Sequence, residues 1–457
     1  MDQTQNPLGT RAIGPLIAKF AVPAIISGLV SALYNIVDQI FIGQSVGLLG
    51  NGATNVAFPL VTICTGITLL LGIGSASNFS LALGRQDKET AVHIAANGIA
   101  LMVICGCLLC AVVTLFLHPL LVAFGATEQN LPYAMLYTRV TALGIPFLIF
   151  GTGGSHIIRA DGSPRYAMVC TMSGAILNCF LDPLFIFGFD MGITGAALAT
   201  IIGQILSALL ALYYYVKRFQ TARWERRYFR LSAACTKAIV SLGVAACFNQ
   251  IAMCIVQIAM NNTLRYYGAS SVYGSDIPLA CVGVITKVNV IFIAIIVGIA
   301  QGCQPIIGYN YGAKNYRRVR ETYKRAVFIA TAVAVLFFLC FQLFPRQITS
   351  VFGNGSEEYY QFAARYFRIY MFFTFANGLQ PLTSNFFTSI GKAKLGIMIS
   401  MTRQIIFLLP LILLFSFLWG IDGVMYAGPI ADGAAAVLAI CFVLWEMKQI
   451  RALETQQ

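Results

Sequence analysis

Long apolar runs follow one another along the whole chain, and short polar connections separate them. Each run has the roughly 20 mainly apolar residues that a helix needs to cross a bilayer. Pro23 in the first run and Pro146 in the fourth predict kinks, because proline removes a backbone hydrogen bond from a helix. The pattern predicts an all-α polytopic membrane protein with twelve transmembrane helices, called spans 1 to 12 below, at residues 15–42, 52–80, 92–117, 131–157, 166–188, 194–216, 237–263, 277–309, 322–344, 359–388, 395–418 and 422–446.

Composition supports this class. Hydrophobic residues make up 58% of the 457 residues and charged residues only 10%, whereas a soluble protein carries roughly 25% charged residues. The mean hydropathy is +0.78. A soluble enzyme is therefore excluded, and so is a disordered chain, which would be far less apolar.

The formal net charge of +13 comes from short connections between apolar runs. Of the 30 Lys and Arg residues, 23 lie at the termini, in the connections that follow even-numbered spans or at the adjoining span ends, and five lie on the other side. Because basic residues are enriched in cytoplasmic loops, both termini are predicted to be cytoplasmic. We expect the basic residues to contact membrane lipid, and we expect no nucleic-acid partner.

The longest and most basic connection begins at residue 217, near the middle of the chain. It divides the sequence into a lobe of six helices (1–216), a cytoplasmic linker (217–236) and a second lobe of six helices (237–457). Two lobes with an even number of spans insert in the same direction, which predicts a pseudo-twofold axis along the membrane normal and a cavity between the lobes. Three pairs of segments repeat at an offset of 228 or 229 residues: 72–89 with 300–317, 159–165 with 388–394, and 192–200 with 420–428.

The sequence offers no signature of an enzyme. The phosphate-binding motif GxxxxGK[ST] is absent, so transport by this chain would use an ion gradient or be passive. Cys107 and Cys110 form a CxxC inside an apolar run, where cysteine behaves as a small hydrophobic residue. The three histidines are far apart in the sequence. We predict no cofactor, no disulfide and no metal centre beyond a possible Na⁺ site.

Three acidic residues lie inside apolar runs: Asp38 in span 1, Asp182 in span 5 and Asp432 in span 12. A charge in the middle of a bilayer costs at least about 2.5–3.5 kcal/mol, so a function or a partner must retain it. Asn178 precedes Asp182 by one helical turn and shares its face. Asp38 and Asp182 are predicted to bind H⁺ or Na⁺, between which composition does not choose. For Asp432, a functional role and a segment that reaches water both stay open.

Several of these features together resemble the multidrug and toxic compound extrusion (MATE) family, in particular its MepA-like branch. They are the spacing of Pro23 and Asp38, the stretch RADGSPR (159–165), and LNCFLDPLFIFGF followed by GITGAALAT. The resemblance implies a secondary antiporter in the plasma (inner) membrane of a bacterium, which exports lipophilic organic cations in exchange for H⁺ or Na⁺ by alternating access. We expect it to act as a monomer.

The resemblance also implies a cation-coupling site in the amino-terminal lobe. At the places of the family's ligands, this sequence has Asp38, Tyr137, Asn178, Asp182 and Thr200, and Pro23 is the expected hinge. The carboxy-terminal lobe lacks the matching oxygens, because the repeat puts Phe407, Leu411 and Gly428 opposite Asn178, Asp182 and Thr200. A single ion site is therefore predicted, with Asp432 the one candidate for a second.

Further residues are candidates for the substrate cavity, although ordinary helix packing would also explain them: Tyr34, Met253 and Gln257. Lys287 in span 8 and Arg403 in span 11 are cations inside apolar runs. They either extend toward the interface and tie helices together or take part in switching the second lobe.

The alternative function is a flippase for lipid-linked saccharides, from the same superfamily, which would use Lys287 and Arg403 to bind a pyrophosphate. A channel is a third class. The paired acids and the duplicated lobes favour the antiporter.

Overall fold

The computed structural model of the chain describes residues 6–46, 48–271, 276–351 and 357–455, and these ranges contain helices and no β-strand. The helices are Pro7–Thr10, Ile13–Val46, Leu48–Gly84, Lys88–Leu115, Leu117–Ala123, Leu131–Ala142, Ile145–Ala160, Pro164–Pro183, the π-helical turn Leu184–Gly188, Gly192–Lys217, the 3₁₀ turn Arg226–Phe229, Ala233–Ala269, Asp276–Gly312, Tyr316–Leu343, Pro345–Ser350, Glu357–Tyr370, Thr374–Asn377, Leu379–Ser389, Ala393–Met401, the π-helical segment Thr402–Leu408, Leu409–Trp419 and Ile421–Thr455.

Ten helical segments in the described ranges are long and apolar enough to cross a membrane. The pair Leu131–Ala142 and Ile145–Ala160 is bent by 54° and forms an eleventh, broken span at the place of span 4. Pro146 lies in the first turn of the second helix of this pair. The predicted kink at Pro146 is therefore confirmed, and the protein is a multi-pass helical membrane protein. By contrast, the helix of span 1 continues unbroken through Pro23.

Span 10, predicted as one helix over 359–388, is divided into three pieces, Glu357–Tyr370, Thr374–Asn377 and Leu379–Ser389. Gly378 separates the last two pieces, and Pro381 follows in the first turn of the third. Proline is tolerated in the first turn of a helix and destabilises a helix interior, so the sequence favours a helix start here.

The two halves of the chain repeat their boundaries. Lys88–Leu115 and Tyr316–Leu343 both have 28 residues, and they begin 228 residues apart. Pairs of residues at the repeat offset also share a left-handed backbone, namely Gln86 (φ 64°) with Lys314 (59°), Gly162 (91°) with Gly391 (83°), and Gly192 (54°) with Gly420 (60°). The repeat found in the sequence is thus a repeat of conformation.

Spans 2 and 8 cross where two equivalent glycines meet. A Cβ atom on Gly84 would overlap the carbonyl oxygen of Tyr309, and one on Gly312 would overlap that of Leu81. Because Gly84 and Gly312 are 228 residues apart and contact each other, the contact lies on the pseudo-twofold axis. Nearby, the side-chain amide of Gln304 donates to the Ser77 hydroxyl at 2.6 Å and joins the same two spans.

The first and last described residues of the chain lie at the end of the molecule that contains this crossing, which we call the terminal side. The carbonyl of Leu8 accepts a hydrogen bond from the Asn310 side chain at 2.9 Å, two residues before Gly312. Arg320 pairs with Glu454 near the carboxyl terminus at 2.5 Å. The lobes are therefore packed together on the terminal side.

The connection between the lobes is fixed to the amino-terminal one. The Asp161 carboxylate accepts hydrogen bonds from the Gln220 backbone N–H at 2.8 Å and the Thr221 hydroxyl at 2.5 Å. Asn97 accepts from the backbone N–H of Ser232 at 2.8 Å. Asp161 belongs to RADGSPR, so this stretch holds the linker in place.

Replacing Gly84 with alanine tests the crossing. The added Cβ would meet backbone atoms, and overpacking of this kind costs about 1–3 kcal/mol. Gly283→Ala is the matched control, because no atom lies within 4 Å of the position that its Cβ would take and alanine is the better helix former there. We expect a lower melting temperature in detergent for Gly84→Ala than for Gly283→Ala. Equal melting temperatures would contradict the crossing.

Candidate functional site

Spans 1 and 5 bring Asp38 and Asp182 together. Asp182 is 0% exposed and Asp38 is 9% exposed, and their carboxyl groups lie within hydrogen-bonding reach of each other. Oδ1 of Asp38 and Oδ2 of Asp182 are buried and have no hydrogen-bond partner among the described residues. Two acids at this depth, without a donor for these oxygens, form a site that a small cation would complete.

Neutral oxygens stand beside the acids. The Asn178 side-chain N–H donates to Oδ1 of Asp182 at 3.2 Å and to the Thr200 hydroxyl oxygen at 3.4 Å. The Thr200 hydroxyl in turn donates to the Ala196 carbonyl at 3.0 Å. Oδ1 of Asn178 is left buried without a donor. Carboxylate and amide oxygens are hard ligands, so the group can hold H⁺ or an alkali cation.

Glycines determine how closely spans 5 and 6 approach. A Cβ on Gly174 would overlap the carbonyl oxygen of Gly203, so the two backbones touch at this point. Asn178 lies one turn after Gly174 and reaches Thr200 because of this contact. Pro183 follows Asp182 directly, and the helix continues as a π-helical turn, Leu184–Gly188. Such turns are frequent at functional sites.

A cavity of about 390 Å³, here called the amino-lobe cavity, opens beside the acids. Five of the predicted residues line it: Tyr34, Asp38, Tyr137, Asn178 and Thr200. Asp182 is behind this wall, where Asp38 and Asn178 contact it. The structure thus brings together all five residues that the family resemblance suggested for cation coupling.

Gln204 is a polar residue of this wall that the sequence analysis missed. It lines the amino-lobe cavity, and its Oε1 is buried without a partner among the described residues. Its position one helical turn after Thr200 was a signal that could have identified it, because residues four apart share a helix face.

A second cavity of about 440 Å³, here called the carboxy-lobe cavity, contains the other substrate candidates. Met253 and Gln257 line it, together with the aromatic side chains of Tyr366 and Tyr370. Ser31 and Asn35 of span 1 line both cavities. The two cavities therefore adjoin at span 1.

Asp432 has a basic partner. Nε of Arg403 donates to its Oδ1 at 2.5 Å, and the side-chain N–H of Asn377 donates to its Oδ2 at 3.3 Å. Arg403 lies in the π-helical segment Thr402–Leu408 and lines the carboxy-lobe cavity. Because both carboxylate oxygens accept hydrogen bonds, Asp432 is an ion-pair partner here and not an open cation site.

Lys287 is exposed, and it is not among the residues that line either cavity. It therefore differs from Arg403, the other deep cation of the sequence. Its position agrees with a side chain that extends away from the bundle.

A family model described as MatE matches residues 23–184 and 245–414, in both lobes. The chain belongs to the MatE family. The resemblance seen in the sequence is thereby confirmed, including its MepA-like branch: the multidrug export protein MepA of Staphylococcus aureus is 25% identical over 433 residues, which cover 93% of this chain and 92% of that protein.

Solved MATE structures share the fold. An outward-facing multidrug resistance MATE family transporter of the MOP superfamily aligns with a TM-score of 0.89 at 24% identity, covering 98% of this chain and 99% of that one. A MOP superfamily transporter from Pyrococcus furiosus, described as having a binding pocket of reverse polarity that suggests a different function, aligns with a TM-score of 0.88 at 24% identity, over the same shares.

The ion pair of Arg403 and Asp432 gives a test of the carboxy-terminal lobe. Asp432→Asn leaves a buried guanidinium without its counter-charge, and breaking a buried pair costs about 3–5 kcal/mol. We expect a large fall in melting temperature for this variant, and recovery of much of the loss when Arg403→Gln is added. If the double variant is no more stable than Asp432→Asn alone, the pairing is refuted.

Proposed function

We propose that the protein is a secondary antiporter that exports lipophilic organic cations and takes up a small cation, H⁺ or Na⁺, in exchange. The proposal rests on one observation. Asp38 and Asp182 stand together at the amino-lobe cavity, and no Lys, Arg or His is among the described residues that line it. The membership in the MatE family and the similarity to a multidrug export protein support the same conclusion.

The chemistry follows from the burial of the pair. Two adjacent carboxyl groups in an apolar surrounding are unfavourable when both are ionised. A proton shared between Asp38 and Asp182 would remove one charge, and Na⁺ bound with the help of Asn178 would offset one. The two acids would titrate as a unit, and the proton would not belong to one residue alone.

Exchange follows if the small cation and the organic cation stabilise different states of the transporter. Both are attracted by the negative charge of the same two carboxylates, so binding of one opposes binding of the other. A ligand shifts a conformational equilibrium only by its difference in affinity for the two states. A proton moving inward down a membrane potential of 100 mV supplies about 2.3 kcal/mol to this exchange.

The packing of the lobes suggests how access alternates. The lobes are in contact on the terminal side, at Gly84 and Gly312. Earlier residues of span 2 line the amino-lobe cavity, and earlier residues of span 8 line the carboxy-lobe cavity. If the termini are cytoplasmic, as the charge pattern predicts, the cavities lie toward the outside in this conformation. We propose Pro23 as the hinge of span 1, because the helix lacks the backbone donor of that residue.

The lipid-linked saccharide flippase has less support. It would need a cluster of cations to offset the several negative charges of a pyrophosphate. Arg403 is the single Lys, Arg or His among the described residues that line the two cavities, Asp432 already offsets its charge, and Lys287 lines neither cavity.

Asp182→Asn should abolish exchange, because the amide keeps the shape of the side chain but neither ionises nor takes up a proton. The measurement is efflux of a fluorescent organic cation from cells that express the protein at equal levels. Asp190→Asn is the matched control, since Asp190 is exposed and asparagine tolerates its left-handed backbone. Normal efflux by Asp182→Asn would show that the ion site is assigned wrongly.

The coupling ion can be found with purified protein in vesicles. We expect a fluorescent organic cation to move against its gradient when either a proton gradient or a sodium gradient is imposed, and the effective gradient identifies the ion. If the dye moves without a proton or sodium gradient, and only down its own concentration gradient, the protein is a channel. That result would contradict the antiporter.

A further inference from the structure

The carboxy-lobe cavity has a cationic group that the proposed exchange does not use. Arg403 lines this cavity and its side chain is 12% exposed. Only its Nε is bonded to Asp432. No residue in the described part of the chain provides a hydrogen-bond partner for Nη1 or Nη2. The two Nη nitrogens, with two N–H groups each, are thus left for a ligand.

The amino-lobe cavity carries no charge at the equivalent places. By the repeat offset of 229, Arg403 corresponds to Gly174, and by the offset of 228, Asp432 corresponds to Gln204. Neither Gly174 nor Gln204 is charged, and that cavity carries the acids Asp38 and Asp182 instead. One lobe therefore presents acids without a base, and the other presents an arginine with two open donor nitrogens.

The two cavities can be occupied by one molecule. They adjoin at Ser31 and Asn35, and their volumes of about 390 and 440 Å³ together suit a drug-sized ligand. The rings of Tyr366 and Tyr370 stack at a centroid distance of 4.9 Å and line the carboxy-lobe cavity. They provide a flat apolar wall for an aromatic ligand next to Arg403.

We propose that Arg403 is a specificity-determining residue of the substrate site, which binds the anionic group of a substrate that carries both charges. The cationic end of such a substrate would lie toward Asp38 and Asp182, and its carboxylate would accept hydrogen bonds from Nη1 and Nη2 of Arg403. The planar guanidinium suits this contact, because its parallel N–H groups match the two oxygens of a carboxylate. The proposal rests on the antiporter function.

A pair of dyes that differ only in the anion tests the proposal. Rhodamine 110 carries a free carboxylate, and rhodamine 123 is its methyl ester. Dissociation constants for both dyes are measured by fluorescence polarisation with purified protein in detergent. The double variant Arg403→Gln/Asp432→Asn removes both charges and keeps side chains of similar shape, so no buried charge is left unpaired.

We expect the double variant to raise the dissociation constant of rhodamine 110 about tenfold relative to that of rhodamine 123. The reason is that it loses a charge-assisted contact worth about one decade of affinity. Arg403→Lys keeps the positive charge but loses the parallel N–H groups of the guanidinium, so it should change the ratio of the two dissociation constants less. This variant also provides the test if the double variant does not fold. A ratio that stays within about twofold of the wild-type ratio in the folded variants would overturn the proposal.

The result can be separated from a failure of the proposed function. If the wild-type protein exchanges rhodamine 123 for the coupling ion but does not bind rhodamine 110, the anion site is wrong and the antiporter stands. If it exchanges neither dye under a proton or sodium gradient, the antiporter is wrong, and the anion site falls with it.

Discussion

A charge inside an apolar bundle needs a partner or a means of neutralisation, and this constraint shapes both lobes. Burying a lone ion is costly, whereas a paired or protonated group is tolerated. In the carboxy-terminal lobe, Asp432 has a permanent partner in Arg403. In the amino-terminal lobe, Asp38 and Asp182 have no basic partner among the described residues around the cavity. One lobe balances its buried charge with an ion pair, and in the other the proposed coupling ion would do so.

Duplication explains how one fold holds both solutions. The lobes share helix lengths, left-handed positions and the glycines that meet on the axis. Their functional side chains have diverged, since Phe407, Leu411 and Gly428 stand at the places of Asn178, Asp182 and Thr200. Where Gly174 lets spans 5 and 6 touch, the second lobe places Arg403 at the start of a π-helical segment. The architecture is symmetric, and its chemistry is not.

The fold was predictable because each span is an apolar run that can be read locally. The depth of Asp38 and Asp182 in such runs was also visible, and so was the turn spacing of Asn178. Contacts between helices that are distant in the sequence could not be predicted in this way. The pairing of Arg403 with Asp432 depends on how two helices are rotated toward each other, and sequence spacing does not record this rotation. The division of span 10 was missed because its apolar residues continue across Gly378.

The anchoring of the interlobe connection has a mechanical consequence. Asp161 and Asn97 fasten it along its length to the first half of the molecule, so it cannot serve as a slack tether. Asn97 holds the connection at Tyr228, Arg230 and Ser232, and the next helix begins directly afterwards at Ala233. Any rocking of one half against the other must therefore carry the start of that helix along with the first half, and lengthening the connection before Tyr228 would add chain without adding freedom.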